Sequence, residues 1–147
     1  MVVCEGIPPI RAAMRINERV EKVWNALFNE RGWDPWMTDG MRVDTREGGE
    51  IHFRWVIEGE EVTDRGVNLI VFPPRLWEFQ WYEYEDGFRS KVTISLHESS
   101  DGGTWVEVED RVLVIESGDL EIAFGCAVGW GEFLARLKLF VERGIVL

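Results

Sequence analysis

Asp110 is the residue best placed to do chemistry in this 147-residue chain. It stands in "TWVEVEDRVLV", where Val106, Val108, Asp110 and Val112 share one parity and the valines belong on a buried face. A carboxylate there points into the interior or its mouth. It must then find a partner or take up a proton, because an unpaired buried charge is very costly. In that setting it would anchor a ligand or act as the general base of cyclase-type chemistry. The alternative is a strand that bends near Asp110 and lets the carboxylate reach water. Arg65, Asn68 and Tyr82 are further polar candidates for an interior cavity.

Other chemistries find less support. His52 and His97 fall on strand faces assigned to solvent, and no histidine or cysteine spacing suits zinc, so no metal is expected. There is no G-x-S-x-G elbow, and no phosphate-cradling glycine loop with a Lys-Ser or Lys-Thr pair. "GGE" and "DGG" read as hairpin turns. No cofactor is expected. Cys4 and Cys126 lie far apart and read as two cytosolic thiols.

The net charge of −11 repels phosphate backbones and argues against a nucleic-acid partner. No stretch approaches the roughly 18 apolar residues of a membrane span, so no insertion is expected. "MVVCEGIPPIRAAMRI" lacks the basic and apolar regions of a signal peptide, which predicts a cytoplasmic protein. The length suits a single domain over 1–147, with 1–9 a poorly ordered N-terminal segment. Eight Trp and eight Phe furnish a bulky core, some of it free to wall a ligand pocket.

The elements that must position these groups follow from periodicity. "IRAAMRI" alternates as a strand, and Asn17 is placed to cap a helix whose stripe is Val20, Val23, Trp24, Leu27 and Phe28. Gly32 and Pro35 break the pattern into a turn or second small helix. A meander of about six antiparallel strands follows, with Gly66 read as a bulge and Pro73–Pro74 as a strand end. Trp77, Phe79 and Trp81 fall inward. If Val67, Leu69 and Val71 also do, Ile70 and Phe72 are exposed and suit a homodimer contact; the alternative is the reverse register.

A helix from about Gly118 to Arg143 closes the chain and is long enough to cover the sheet. Its second half carries the stripe Trp130, Phe133, Leu134, Leu137, Phe140 and Val141. Its first half carries Gly125, Gly129 and Gly131, each costing about 1 kcal/mol of helix propensity. Such a cost needs an offset, either a close approach of helix to sheet or a void kept open between them.

Four stretches carry a family resemblance: "INERVEKVWNALFN", "MRVDTREGGEIHFRW", "DRGVNLIVFPPRLWEFQW" and "GWGEFLARLKLFVERG". In order and spacing, and together with "GGTWVEV", they resemble the START/Bet v 1-like (SRPBCC) superfamily, in its activator of Hsp90 ATPase homologue-like branch. The resemblance implies an α+β helix-grip fold: a curved antiparallel sheet wrapped around a long C-terminal helix, with one or two short helices after the first strand. It also implies an apolar cavity between sheet and helix, which favours the void. An Hsp90-type partner is implied too, but the co-chaperone's additional N-terminal domain has no room in 147 residues, which argues against Hsp90 stimulation.

The expected function is binding of a small apolar or amphipathic ligand. Its walls would be Phe53, Trp55, Trp77, Phe79, Trp81, Phe124, Gly125 and Gly129, with Asp110 as polar contact. The alternatives are a cyclase- or hydrolase-type enzyme using Asp110, and a co-chaperone-like adaptor using an exposed strand face.

Overall fold

A computed structural model gives the structure of the protein and describes residues 8–83, 89–113 and 119–147. Cys4 and most of the expected N-terminal segment therefore lie outside the described residues. Seven antiparallel strands form one curved sheet: β1 (Ile10–Ile16), β2 (Arg42–Val43), β3 (Glu50–Ile57), β4 (Glu60–Phe72), β5 (Leu76–Glu83), β6 (Arg89–Glu98) and β7 (Thr104–Val112). Their order is β1-β7-β6-β5-β4-β3-β2, so the meander from β2 to β7 closes against the first strand. Helix α1 (Val20–Leu27) follows β1, and α2 (Asp119–Arg143) ends the fold.

One face of the sheet is apolar because side chains alternate along each strand. Ile51 and Phe53, Trp77 and Phe79, Val92, Ile94 and Leu96, and Val106 and Val108 are buried on it. Trp130, Phe133, Leu134, Leu137 and Val141 of α2 face them. The nearest backbone approach of α2 is to β1, and the C-terminal half is tied there. Lys138 Nζ donates to the Arg15 carbonyl at 2.7 Å, and Glu142 accepts the Asn17 N–H at 3.0 Å. Toward β3–β5 the space beneath the helix is filled by aromatic rings rather than by backbone contact.

Three local expectations are corrected. Arg19, not Asn17, stands at the N-cap of α1 and makes no side-chain capping bond, because Asn17 is two residues too early. The bulge in β4 lies between Asn68 and Ile70 rather than at Gly66. Gly66 instead faces inward, where a Cβ would come within 2.8 Å of the Gln80 carbonyl and 3.2 Å of the Phe53 ring. Gly66 and Asn68 face inward ahead of the bulge, so Val67 and Leu69 turn outward against expectation; beyond it Val71 turns back toward the core, while Ile70 and Phe72 are exposed. After α1 the chain makes turns over 29–37 and no second helix. Among the described residues no helix is long and apolar enough to cross a membrane.

Candidate functional site

The turn after α1 builds one wall of a cavity. Gly32 takes φ +58°, a conformation in which a side chain is strained, and a Cβ there would collide with the Met41 side chain. Asp34 then fixes the loop: its Oδ1 accepts from Thr38 Oγ1 at 2.6 Å, Gly40 N–H at 2.9 Å and Met41 N–H at 3.0 Å. Burial pushes the Asp34 carboxyl up, but those hydrogen bonds and the Arg42 charge outweigh it and hold its pKa below the usual range. So pinned, the turn drives Trp33 and Trp36 into the core, each 1% exposed. Trp36 Nε1 donates to the Ala26 carbonyl at 3.2 Å, whereas Trp33 Nε1 is buried with no partner.

Trp33 is the centre of the aromatic interior. Its ring lies 4.7 Å from Phe133, 5.4 Å from Phe53, 6.0 Å from Trp81 and 6.2 Å from Trp130. Beside it opens a cavity of about 200 Å³. The turn contributes Trp33 and Met37, and the sheet contributes Trp55, Asp64, Trp81, Ser90 and Asp110. Cys126, Gly129, Trp130 and Phe133 close it from α2, at the i, i+3, i+4, i+7 spacing of one helical face. Trp33, Ser90, Asp110, Trp130 and Phe133 are buried and form the floor; the partly exposed groups form the mouth.

Two carboxylates enter this aromatic space, and each meets an indole. Trp130 Nε1 donates to Asp110 Oδ2 at 2.8 Å, and Trp81 Nε1 donates to Asp64 Oδ2 at 2.9 Å. Asp110 is 2% exposed and its Oδ1 has no partner. Burial pushes its pKa up, with Trp130 and the Ser90 hydroxyl pulling the other way. Asp64 is likewise raised by burial and partly restored by Trp81. Among the described residues no lysine, arginine or histidine lines the cavity. No group of potential metal ligands occurs among them either.

The wall residues expected from sequence divide three ways. Trp55, Trp81, Asp110 and Gly129 line the cavity. Phe53, Trp77 and Phe79 point inward but lie deeper in the core, Phe53 stacking behind Trp81 at 4.2 Å. Phe124 and Gly125 do not belong: Phe124 is 69% exposed, and open space surrounds Gly125. The reason is helical phase, since neither falls on the face that carries Cys126, Gly129, Trp130 and Phe133. Nothing lies within 4 Å of a Cβ built at Gly125, Gly129 or Gly131, so close approach does not explain these glycines. The strand does not bend Asp110 to water.

Asn68 is structural rather than a cavity contact. Its amide donates to the Asp44 and Arg46 carbonyls, and its oxygen accepts from Trp77 Nε1 at 2.8 Å. Arg65 and Tyr82 meet each other on the outer face, with the guanidinium 5.6 Å from the ring centroid. Trp33, Met37, Asp64, Ser90, Cys126, Trp130 and Phe133 went unread as cavity groups. For α2 a signal existed, because carrying the Trp130–Phe133 stripe back one turn reaches Gly129 and Cys126.

The family model described as Activator of Hsp90 ATPase homolog 1-like protein matches residues 17–142. The chain belongs to this family. No curated protein matches the sequence. Solved structures resembling this Activator of Hsp90 ATPase homolog 1-like chain include CalU16 from Micromonospora echinospora, at 25% identity and TM-score 0.72, over 92% of this chain and 77% of that one. DynU16, from the dynemicin biosynthetic locus, matches at 18% identity and TM-score 0.76 over 94% of this chain, which spans 48% of it. The Aha1 dimer from Colwellia psychrerythraea matches at 21% identity and TM-score 0.75, over 94% of this chain and 98% of that one. The last two likenesses speak for the fold, the helix-grip arrangement expected from sequence.

Proposed function

We propose that the protein binds a small amphipathic molecule, largely apolar with one polar handle, between the sheet and the N-terminal half of α2. The observation that carries this reading is an aromatic cavity of about 200 Å³ whose wall includes a buried acceptor, Asp110 Oδ1, without a partner. An unsatisfied buried polar atom costs about 1–3 kcal/mol, a loss that a ligand donor would reverse. Benzene fills an apolar cavity of about 150 Å³, so by the same ratio the ligand portion enclosed in about 200 Å³ has about eight non-hydrogen atoms. The void favours binding over the adaptor reading, which needs none. The raised Asp110 pKa keeps a general-base role as the second reading.

Calorimetric titration with small aromatics such as indole and naphthalene tests the proposal. At least one compound should saturate near one-to-one stoichiometry with a negative heat-capacity change, the mark of apolar burial. If none saturates the folded protein, the cavity is not a binding site.

A further inference from the structure

Building on that reading, we propose that the ligand is an organic ammonium, with its charged nitrogen donating to Asp110 Oδ1 and its apolar part among the tryptophan rings. The cavity wall is one-signed: it presents Asp64 and Asp110 and, among the described residues, no cationic side chain. Each carboxylate already takes an indole N–H on Oδ2, and these donors, with the Ser90 hydroxyl at Asp110, oppose the burial that favours the protonated form. An ionised carboxylate only accepts hydrogen bonds, so what Oδ1 of Asp110 lacks is a donor. A hydroxyl would supply one, but an ammonium also neutralises charge at a site where one acid is buried and a second stands at the mouth. The remaining walls suit the same guest, since Trp33, Trp55, Trp81 and Trp130 offer the electron-rich faces that attract cations. Burial raises the proton affinity of both acids, and a bound cation is the ligand that reverses this effect.

The test compares three compounds of matched size: 2-phenylethylammonium, 2-phenylethanol and propylbenzene. Calorimetry is run at neutral pH in about 0.15 M salt, where screening within about 8 Å limits attraction by the chain's overall charge. The ammonium should bind at least about tenfold more tightly than either neutral compound. Asp110→Asn should erase that preference while leaving propylbenzene affinity unchanged. Glu60→Gln, which removes an exposed carboxylate, should leave the preference intact. Equal affinities, a preference for a neutral compound, or a preference that survives Asp110→Asn would overturn the ammonium assignment and leave the cavity reading standing. Failure of all three to bind would remove the cavity reading itself. Should Asp110→Asn not fold, the wild-type ranking and its reduction in Asp64→Asn decide.

Discussion

Folding takes the Asp110 carboxyl out of water, and burial favours its protonated form. Its folded pKa therefore lies above that of the unfolded chain. Below the ordinary carboxylate range both states hold the proton and Asp110 is neutral to stability. As pH rises through the raised value the unfolded chain has already released its proton, so the fold loses stability, and the loss persists at higher pH. Asp110→Asn should therefore be more stable than wild type at neutral pH, by about 1 kcal/mol. Its advantage should disappear in acid. Urea melts of both proteins at several pH values measure the difference, and a constant or inverted gap would show that the buried acid is not strained. Asp34 works in the opposite sense: its lowered pKa stabilises the fold above the ordinary range, and that support is lost as pH falls through the lowered value. The cavity carboxylate and the loop anchor are thus two aspartates with opposite pH signatures.

The first half of α2 shows how one helix face separates structure from site. Gly125 and Gly131 face solvent, whereas Gly129 borders the cavity, and none is required by close packing. Gly131→Ala and Gly125→Leu should each raise stability, by up to about 1 kcal/mol of helix propensity, and leave ligand affinity alone. Gly129→Leu should hold or raise stability too, yet weaken indole binding at least about tenfold, because its side chain fills the ligand's space. Thermal melts paired with titrations check the series. Loss of stability in Gly129→Leu with binding intact would mean that the helix has no room beneath it. The element itself was legible from its apolar stripe. Its glycines were not, since composition alone cannot tell a face turned to solvent from one turned to a void; only the phase fixed by Trp130 and Phe133 does.

Across the whole molecule the interior converges on Trp33, whose ring meets Trp36, Phe53, Trp77, Phe79, Trp81, Trp130 and Phe133. Sheet, terminal helix and turn share this one side chain, so its loss should be felt everywhere. Trp33→Ala should cost about 3–5 kcal/mol while the transition remains a single cooperative step. A small loss, or a transition split in two, would count against such a hub. The sheet face could be read from alternation, and Trp77, Phe79, Val92, Ile94, Val106 and Val108 are buried as their parity requires. Parity names a face but not a depth, which is why Phe53, Trp77 and Phe79 could not be told from Trp55 and Trp81 as walls. The turn hid most, because "NERGWDPWMTDG" has no period and its burial depends on Asp34 gathering distant donors.

The crowding of indoles around the cavity has an optical consequence. Trp33, Trp81 and Trp130 stand 6.0–6.2 Å apart in pairs, with ring planes inclined at 49°, 75° and 85°. Transition dipoles at such spacing and inclination couple, so light is absorbed by the group rather than by single rings, and the chiral arrangement gives that absorption a handed signature. A molecule entering among these rings would shift the coupling itself, which makes the walls of the cavity its own unlabelled reporter in circularly polarised light.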